Sequence, residues 1–222
     1  MEKSFVNIFP TLLLVVALAV PAFATRMQQL GWEDLVKKVE FEDPFEALTQ
    51  EQLYQLGTVA RVRALQDRKS KTLSASMRKD AEEAETVLQT AGIDINGLLS
   101  RREEIKELRR QRAYAVVDDL DGQQVRMPGY ALPLEFSNKK ITEFLLVPWV
   151  GACIHTPPPP PNQIVFVQTA EGIDNHGQFT PVWVSGVMAV KAATKDLFLV
   201  DGSTGITVGY RLTDARVEPY KQ

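Results

Sequence analysis

The chain of 222 residues contains a single cysteine, Cys153, and two histidines, His155 and His176. One cysteine excludes a disulfide within the chain. Two histidines exclude a metal site that takes three His ligands from one chain. The charges nearly balance, with 25 Lys and Arg against 28 Asp and Glu. Because proteins that coat nucleic acid are strongly basic, we expect no nucleic-acid partner.

After residue 24 the sequence has no hydrophobic run long enough to cross a membrane. Residues 1–24 have the pattern of a secretory signal peptide, with an apolar run at Leu12–Val20. The small residues Ala22 and Ala24 fit the cleavage site of a signal peptidase. We therefore expect a mature chain that begins at Thr25, is soluble, and is exported to a bacterial periplasm.

Residues 25–112 are predicted to be a helical region, and from Leu48 to Arg112 the composition is that of helices. Thr49 and Gln52 have the spacing of a capping box, and Asp94 is placed to cap a later helix. These patterns predict a helical hairpin with a thin apolar stripe. The charged run at 101–110 mixes favourable and unfavourable pairs, which is typical of a solvated helix face, although it also fits contact with a partner or an anionic surface.

Residues 113–222 change to the two-residue period of strands. Asp121 and Gly122 separate two alternating segments, which predicts a hairpin turn. Residues 141–150 read as a buried strand. Several short strands with no helix between them indicate a small antiparallel β-barrel, similar to an oligonucleotide/oligosaccharide-binding (OB) fold. The whole chain is thus predicted to be an α+β protein, and the OB likeness concerns architecture alone.

Cys153 and His155 carry the clearest chemistry. In extended backbone they point to the same side, about 7 Å apart along the chain. One interpretation is a small buried thiol beside a hydrogen-bonded histidine. A second is a Zn²⁺ site, with Asp174 and His176 as the further candidate ligands. A third is a catalytic Cys–His pair, although no oxyanion site can be identified.

Five consecutive prolines follow His155 and Thr156. Proline donates no backbone N–H, so this run cannot lie inside a sheet and favours the extended polyproline conformation. It is either a rigid spacer or a docking surface for a partner. The candidate partner-binding residues are Trp149, Pro157, Pro158, Pro159, Pro160 and Pro161.

Common enzyme motifs are missing from the sequence. It has no glycine-rich phosphate loop, no Gly-x-Ser-x-Gly elbow and no His-Glu-x-x-His pair. Enzymatic activity is left open by these absences, but a non-enzymatic protein is the favoured interpretation.

Four segments resemble a bacterial family known as domain of unknown function 3299. They are Met127–Glu135, Thr142–Gln163, Pro181–Gly186 and Val217–Tyr220. The resemblance begins near Ala113 and covers about half of the chain. It implies an exported protein of Gram-negative bacteria, encoded beside ABC transporters whose permease is of the macrolide-exporter or cell-division type. It brings no known catalytic residue.

The leading functional prediction is therefore a periplasmic, non-enzymatic accessory or interaction protein of an inner-membrane ABC transport system. Its partner would be the transporter permease or another envelope protein. The alternative is a periplasmic protein that binds or traffics zinc through Cys153, His155, His176 and Asp174. A Cys-dependent enzyme is a distant third.

Overall fold

Three α-helices lie between the first and second strands of a six-stranded sheet in the described part of the chain. The structure is a computed structural model, and it describes residues 27–68, 73–154, 156–175, 177–199 and 202–220. The helices are α1 (Gln50–Asp67), α2 (Ala75–Thr90) and α3 (Ile95–Tyr114). The strands are β1 (Gln28–Gln29), β2 (Gln124–Ser137), β3 (Lys140–Val147), β4 (Val165–Asp174), β5 (Thr180–Leu199) and β6 (Gly202–Pro219). The mixed helix and sheet fold is confirmed, and the predicted signal peptide lies outside the described residues.

Side chains cap the helices where the sequence predicts them. The Thr49 hydroxyl accepts a hydrogen bond from the Gln52 amide at 3.2 Å, and the Gln52 side chain accepts one from the Thr49 amide at 2.9 Å. The Asp94 carboxylate accepts from the Gly97 amide at 2.9 Å. These bonds satisfy N–H groups that no helical carbonyl can reach. The capping box at Thr49 is thus confirmed, while the hairpin arrangement of the helices stays a prediction.

Five of the strands close into a β-barrel. They follow the order β2-β3-β4-β6-β5, and β5 pairs with β2 to complete the ring. In this ring Leu132 lies opposite Leu145, and Gly129 lies opposite Val182. Strand β1 adds to β2 as a short parallel neighbour. The predicted barrel is therefore present, and its closure leaves few unpaired strand edges.

The barrel is not antiparallel throughout, in contrast to the prediction. Strands β4 and β6 pair in parallel, with Val165 opposite Tyr210 and Val167 opposite Leu212. The other four pairs of the ring are antiparallel. Strand direction must alternate around an antiparallel ring, and a ring of five strands cannot alternate completely. One parallel pair is therefore a geometric necessity of this barrel.

The predicted hairpin at Asp121 and Gly122 is wrong. Helix α3 continues to Tyr114, and a 3-10 turn at Asp118–Leu120 leads into β2. The Gly122 amide donates to the Met188 carbonyl at 2.8 Å, and the Asp121 carboxylate accepts from the amide of Val190 at 2.8 Å. These turn residues therefore attach the start of β2 to the long strand β5, instead of joining two sequential strands.

The barrel encloses the larger hydrophobic core. Leu30 and Leu35 belong to it, although both fall in residues 25–112, which the sequence analysis assigned to the helical region. The buried Tyr210 hydroxyl donates to the Leu35 carbonyl at 2.6 Å and accepts from the Val117 amide at 2.7 Å. The N-terminal segment is thus part of the barrel packing, and the proposed boundary between 112 and 113 stays a prediction.

A second hydrophobic cluster lies on the outer face of β3 and β4. Successive side chains of a strand point to opposite faces. Phe144 and Leu146 accordingly join the inner core, whereas Leu145 and Val147 join the outer cluster. The end of the β5–β6 hairpin covers this outer cluster with Leu197, Ile206 and Val208. Burial on both faces explains why the last four residues of β3, Phe144–Val147, are apolar without alternation.

Candidate functional site

The segment that the sequence singles out forms a tight loop after β3. Strand β3 ends at Val147, so the predicted strand 141–150 is three residues too long at its C-terminal end. Gly151 has a φ of 88° and Cys153 a φ of 69°. The Ile154 and Thr156 amides both donate to the Gly151 carbonyl, at 3.3 and 3.1 Å. The chain therefore reverses here, and Cys153 is not in the extended backbone that the sequence analysis assumed.

Cys153 is a buried thiol, with only 7% of its surface exposed. It packs in the outer hydrophobic cluster with Ala152, Phe179 and Leu197. This burial raises the pKa of the Cys153 thiol to about 11. The thiol is therefore protonated at neutral pH, which is unfavourable for a nucleophile because the thiolate is the reactive form.

The remaining candidate metal ligands are only partly placed by the structure. His155 and His176 lie outside the described residues. Asp174 is exposed at the end of β4, and it lines a cleft with Lys140 and Val182, not with the Cys153 loop. Within the described ranges, no group of three or more His, Cys, Asp and Glu side chains is arranged to hold a metal ion.

The loops that contain the two histidines nevertheless approach each other. Ile154, which precedes His155, lines a cleft of about 340 Å³ together with Asn175 and Gly177. Asn175 and Gly177 are the sequence neighbours of His176. The structure therefore brings the two loops to one cleft, which the spacing in the sequence could not show.

The proline run lies between the helices and the barrel. Pro159 is buried, and Pro160 has the polyproline dihedrals of φ −55° and ψ 147°. Next to the run, the Asn162 side chain donates to the Arg112 and Ala115 carbonyls at the end of α3, each at 2.9 Å. Those carbonyls have no partner within the helix, so Asn162 satisfies them. This arrangement favours the spacer interpretation for the later prolines.

Gly209 of β6 allows the proline run to approach the barrel. A Cβ atom at this position would lie 2.9 Å from the Pro161 carbonyl oxygen and 3.2 Å from the Asn162 Cα. A Cβ atom essentially never lies within 3.0 Å of another non-bonded heavy atom, and here the opposing atoms belong to the backbone and cannot easily move away. A glycine is therefore required where the run crosses β6.

The start of the loop exposes apolar side chains. Trp149 is 41% exposed and Val150 is 61% exposed. Trp149 Nε1 donates to the Thr156 hydroxyl at 3.3 Å, which holds the indole beside the first prolines. We call this the Trp–Pro surface, and it consists of Trp149, Val150, Pro157, Pro158 and Pro160, all exposed. Sequence reasoning missed Val150, because it placed this residue in a buried strand.

The separate sequence motifs assemble on adjacent strands. Trp183 of β5 lies opposite Pro128 of β2 on one side and opposite Glu218 of β6 on the other. Arg126 lies over the Trp183 ring at 4.3 Å from its centroid and bonds Glu218 at 2.9 Å. The Tyr220 ring stacks on Trp183 with centroids 5.7 Å apart. These motifs therefore stabilise barrel closure, and they contribute no reactive group.

The structure contains no helix that is both long and apolar enough to span a membrane, as judged over the described residues.

Comparison with known proteins supports the family suggested by the motifs. No curated protein matches the chain. A crystal structure of a DUF3299 family protein from Pseudomonas aeruginosa matches with 28% sequence identity and a TM-score of 0.48, covering 88% of this chain and 97% of that chain. The family model for the protein of unknown function DUF3299 matches residues 32–219, so the similarity includes the helices and does not begin near Ala113. The chain therefore belongs to the DUF3299 family.

Proposed function

We propose that the protein is an exported periplasmic accessory protein of an inner-membrane ABC transport system, and that it acts by binding a partner rather than by catalysis. The observation that carries this proposal is the Trp–Pro surface. Exposed tryptophan is enriched at protein interfaces. A rigid proline segment also loses little conformational entropy on binding. The transport assignment rests on the family resemblance, and the binding role rests on the surface.

The Trp–Pro surface is well suited to bind without rearrangement. Its two ends are fixed, by the bonds of Thr156 to Gly151 and by those of Asn162 to the end of α3. Between these points Pro159 is buried, while its neighbours Pro158 and Pro160 are exposed. A partner groove lined by aromatic side chains could accept the exposed prolines. The permease of the transporter, or another envelope protein, is the proposed partner.

Site-specific photo-crosslinking in the producing bacterium tests this proposal. A benzophenone amino acid at Val150 should form a covalent adduct that contains the ABC permease, and the further change Trp149→Ala should reduce its yield. The same amino acid at Val87, an exposed valine on α2, is the matched control. Equal yields from both positions would reject the binding role of the Trp–Pro surface, and adducts that contain neither the permease nor another envelope protein would reject the proposed partner.

Export has its own test. We expect the protein recovered from the cell envelope to begin at Thr25, which intact-mass spectrometry can measure. A chain that retains residues 1–24 in the periplasmic fraction would contradict cleavage after Ala24.

We also propose that the barrel is OB-like. Its first three strands form a meander, and its third and fifth strands pair in parallel, which is the strand order of that architecture. OB folds commonly place a helix between the third and fourth strands, whereas here only residues 175–179 join β4 to β5.

We also propose that α1 and α2 form a helical hairpin. Leu56 and Val59 of α1 share one buried hydrophobic cluster with Ala84 and Leu88 of α2, which supports this proposal.

Zinc binding is the second candidate function. It is favoured by the common cleft of Ile154, Asn175 and Gly177, because these residues adjoin His155 and His176 in the sequence. The raised pKa of the Cys153 thiol opposes it, since zinc would have to displace that proton. Binding should therefore release a proton and weaken as the pH falls.

Zinc titration of the mature protein separates the two candidates. If the site exists, Cys153→Ser, His155→Ala and His176→Ala should each weaken binding at least tenfold, and Asp174→Asn shows whether the fourth ligand is correct. Wild-type binding no tighter than that of the Cys153→Ser variant would reject the zinc role. The interaction proposal would survive that result.

A further inference from the structure

Helices α1 and α3 flank a cleft of about 620 Å³, and none of the residues that line it belongs to the Trp–Pro surface. This volume falls within the range of small-molecule binding sites. Its lining includes the apolar or small side chains Leu53, Leu56 and Ala60 and the cations Arg61, Arg102 and Arg109. Two chemical classes share this lining, apolar side chains and cations.

The apolar part of the cleft is a narrow slot. On α1 the small residues Gly57, Ala60 and Ala64 recur at helical spacing, so they face the cleft together and leave space in it. Leu56 and Ile105 are buried beneath. Helix α1 rises about 16 Å between Leu53 and Ala64, the first and last of its residues that line the cleft. This length is close to that of an extended alkyl chain of about a dozen carbons.

The charged part of the cleft is exclusively basic, with no carboxylate in the lining. Arg109 is paired with Asp43 at 2.6 Å, and Lys106 is paired with Glu103 at 3.1 Å.

The other two lining cations, Arg61 and Arg102, have no ion-pair partner among the residues that the structure describes. They therefore leave an uncompensated positive charge beside an apolar slot. A ligand that complements both features has one anionic group and one apolar chain.

We propose that this cleft binds a free anionic amphiphile with a single alkyl chain, such as a long-chain carboxylate. The chain occupies the slot between α1 and α3, and the head group pairs with Arg61 and Arg102. Leu53, at 38% exposed, is the most exposed of the large apolar side chains that line the cleft, so a bound alkyl chain has apolar surface to cover there.

Isothermal titration calorimetry of the mature full-length protein with octanoate, decanoate and dodecanoate tests the proposal, at concentrations below micelle formation. Each added methylene should tighten binding by up to about fourfold, as expected for burial of an alkyl chain. Dodecyl maltoside, which has the same chain and no charge, should bind at least tenfold more weakly than dodecanoate.

Two variants locate the site on this cleft. Arg61→Gln/Arg102→Gln should weaken dodecanoate binding at least tenfold, and Ala60→Leu should weaken it by filling the slot. The control Arg78→Gln/Arg216→Gln removes the same charge from exposed positions outside the cleft and should bind as the wild type does. Circular dichroism of each variant verifies that it is folded.

Four results would overturn the proposal, three of them in these titrations. They are the absence of dodecanoate binding, equal weakening in the cleft and control variants, and an affinity independent of chain length. A fourth is binding to phosphatidylglycerol vesicles without binding to monomeric dodecanoate, which would assign the basic cleft to a membrane surface. Since neither variant touches the Trp–Pro surface, failure here leaves the crosslinking result at Val150 unaffected.

Discussion

At the scale of single residues, the Tyr210 hydroxyl connects three distant parts of the chain. It lies in the barrel core, donates to the Leu35 carbonyl and accepts from the Val117 amide. Burial raises the pKa of the Tyr210 hydroxyl, so it stays protonated and able to donate. Its loss would leave two backbone groups without a partner in an apolar environment.

Tyr210→Phe should therefore destabilise the protein by about 3 kcal/mol, since each unsatisfied buried group costs about 1–3 kcal/mol. Equilibrium unfolding in urea measures this difference. Tyr54→Phe on the exposed surface of α1 is the control, with an expected change below about 0.5 kcal/mol. A Tyr210→Phe variant as stable as the control would show that the two hydrogen bonds are unimportant.

The Cys153 thiol should react slowly with iodoacetamide. Raising its pKa from 9.0 to about 11 reduces the thiolate fraction at pH 8 by about 100-fold, and burial slows access further. In the native protein the rate should still be rising at pH 11, whereas in guanidinium-unfolded protein it should reach half of its maximum near pH 9 and level off above that. A native rate that levels off below pH 8 would instead indicate a stabilised thiolate, as a catalytic or metal-binding cysteine requires.

At the scale of elements, the Asp43–Arg109 pair fastens the segment before α1 to α3. The Asp43 side chain is 1% exposed and receives two hydrogen bonds from Arg109, at 2.6 and 3.0 Å. The hydrogen bonds from the Arg109 guanidinium lower the pKa of the Asp43 carboxyl. Because the folded-state pKa lies below the unfolded one, the pair stabilises the fold at neutral pH, and this contribution is lost as the pH falls below about 4.

Asp43→Asn should lower the free energy of unfolding by about 2 kcal/mol at pH 7, the value typical of a hydrogen bond to a charged group. The difference from the wild type should shrink as the pH falls toward about 2, since protonation removes the same charge from Asp43. Glu46→Gln is the control, because its contact with Arg112 is exposed and longer, at 3.5 Å. A difference that is constant with pH would contradict the electrostatic explanation.

Sequence patterns predicted those elements whose determinants are local. The Thr49 capping box was predictable because both of its hydrogen bonds span three residues. The Asp121-Gly122 turn was misassigned because its bonds reach Met188, 66 positions from Gly122, and Val190, 69 positions from Asp121. The helical cleft was missed for the same reason, since the charged run 101–110 shows no slot until α1 is placed beside it.

At the scale of the whole molecule, the barrel depends on a segment that precedes the helices. Leu30, Trp32 and Leu35 pack with the inner core, and Lys37 bonds Asp118 at 2.7 Å. The helical region therefore interrupts a unit whose two parts meet in space. The composition of residues 25–112 could not reveal this, because only a few of those residues carry the contact.

A fragment of residues 113–222 should lose cooperative thermal unfolding, since its core lacks the buried Leu30 and Leu35 side chains. Joining residues 25–39 to 113–222 through a short Gly-Ser linker should restore it, because Lys37 lies next to Asp118. Differential scanning calorimetry of both fragments compares them. Identical transitions would show that the N-terminal segment is not needed and that the boundary at 112 is a true domain boundary.

The hydrogen bond between Leu35 and Tyr210 also constrains the order of folding. The two residues are 175 positions apart, so the core that they share can close only after nearly the entire chain is available. Contacts of such long sequence separation slow folding, because loop-closure entropy is lost before any contact compensates for it. The three helices, whose contacts are short-range, can form first, and the barrel then assembles around a 3-10 turn that precedes the helices and a tyrosine of its last strand.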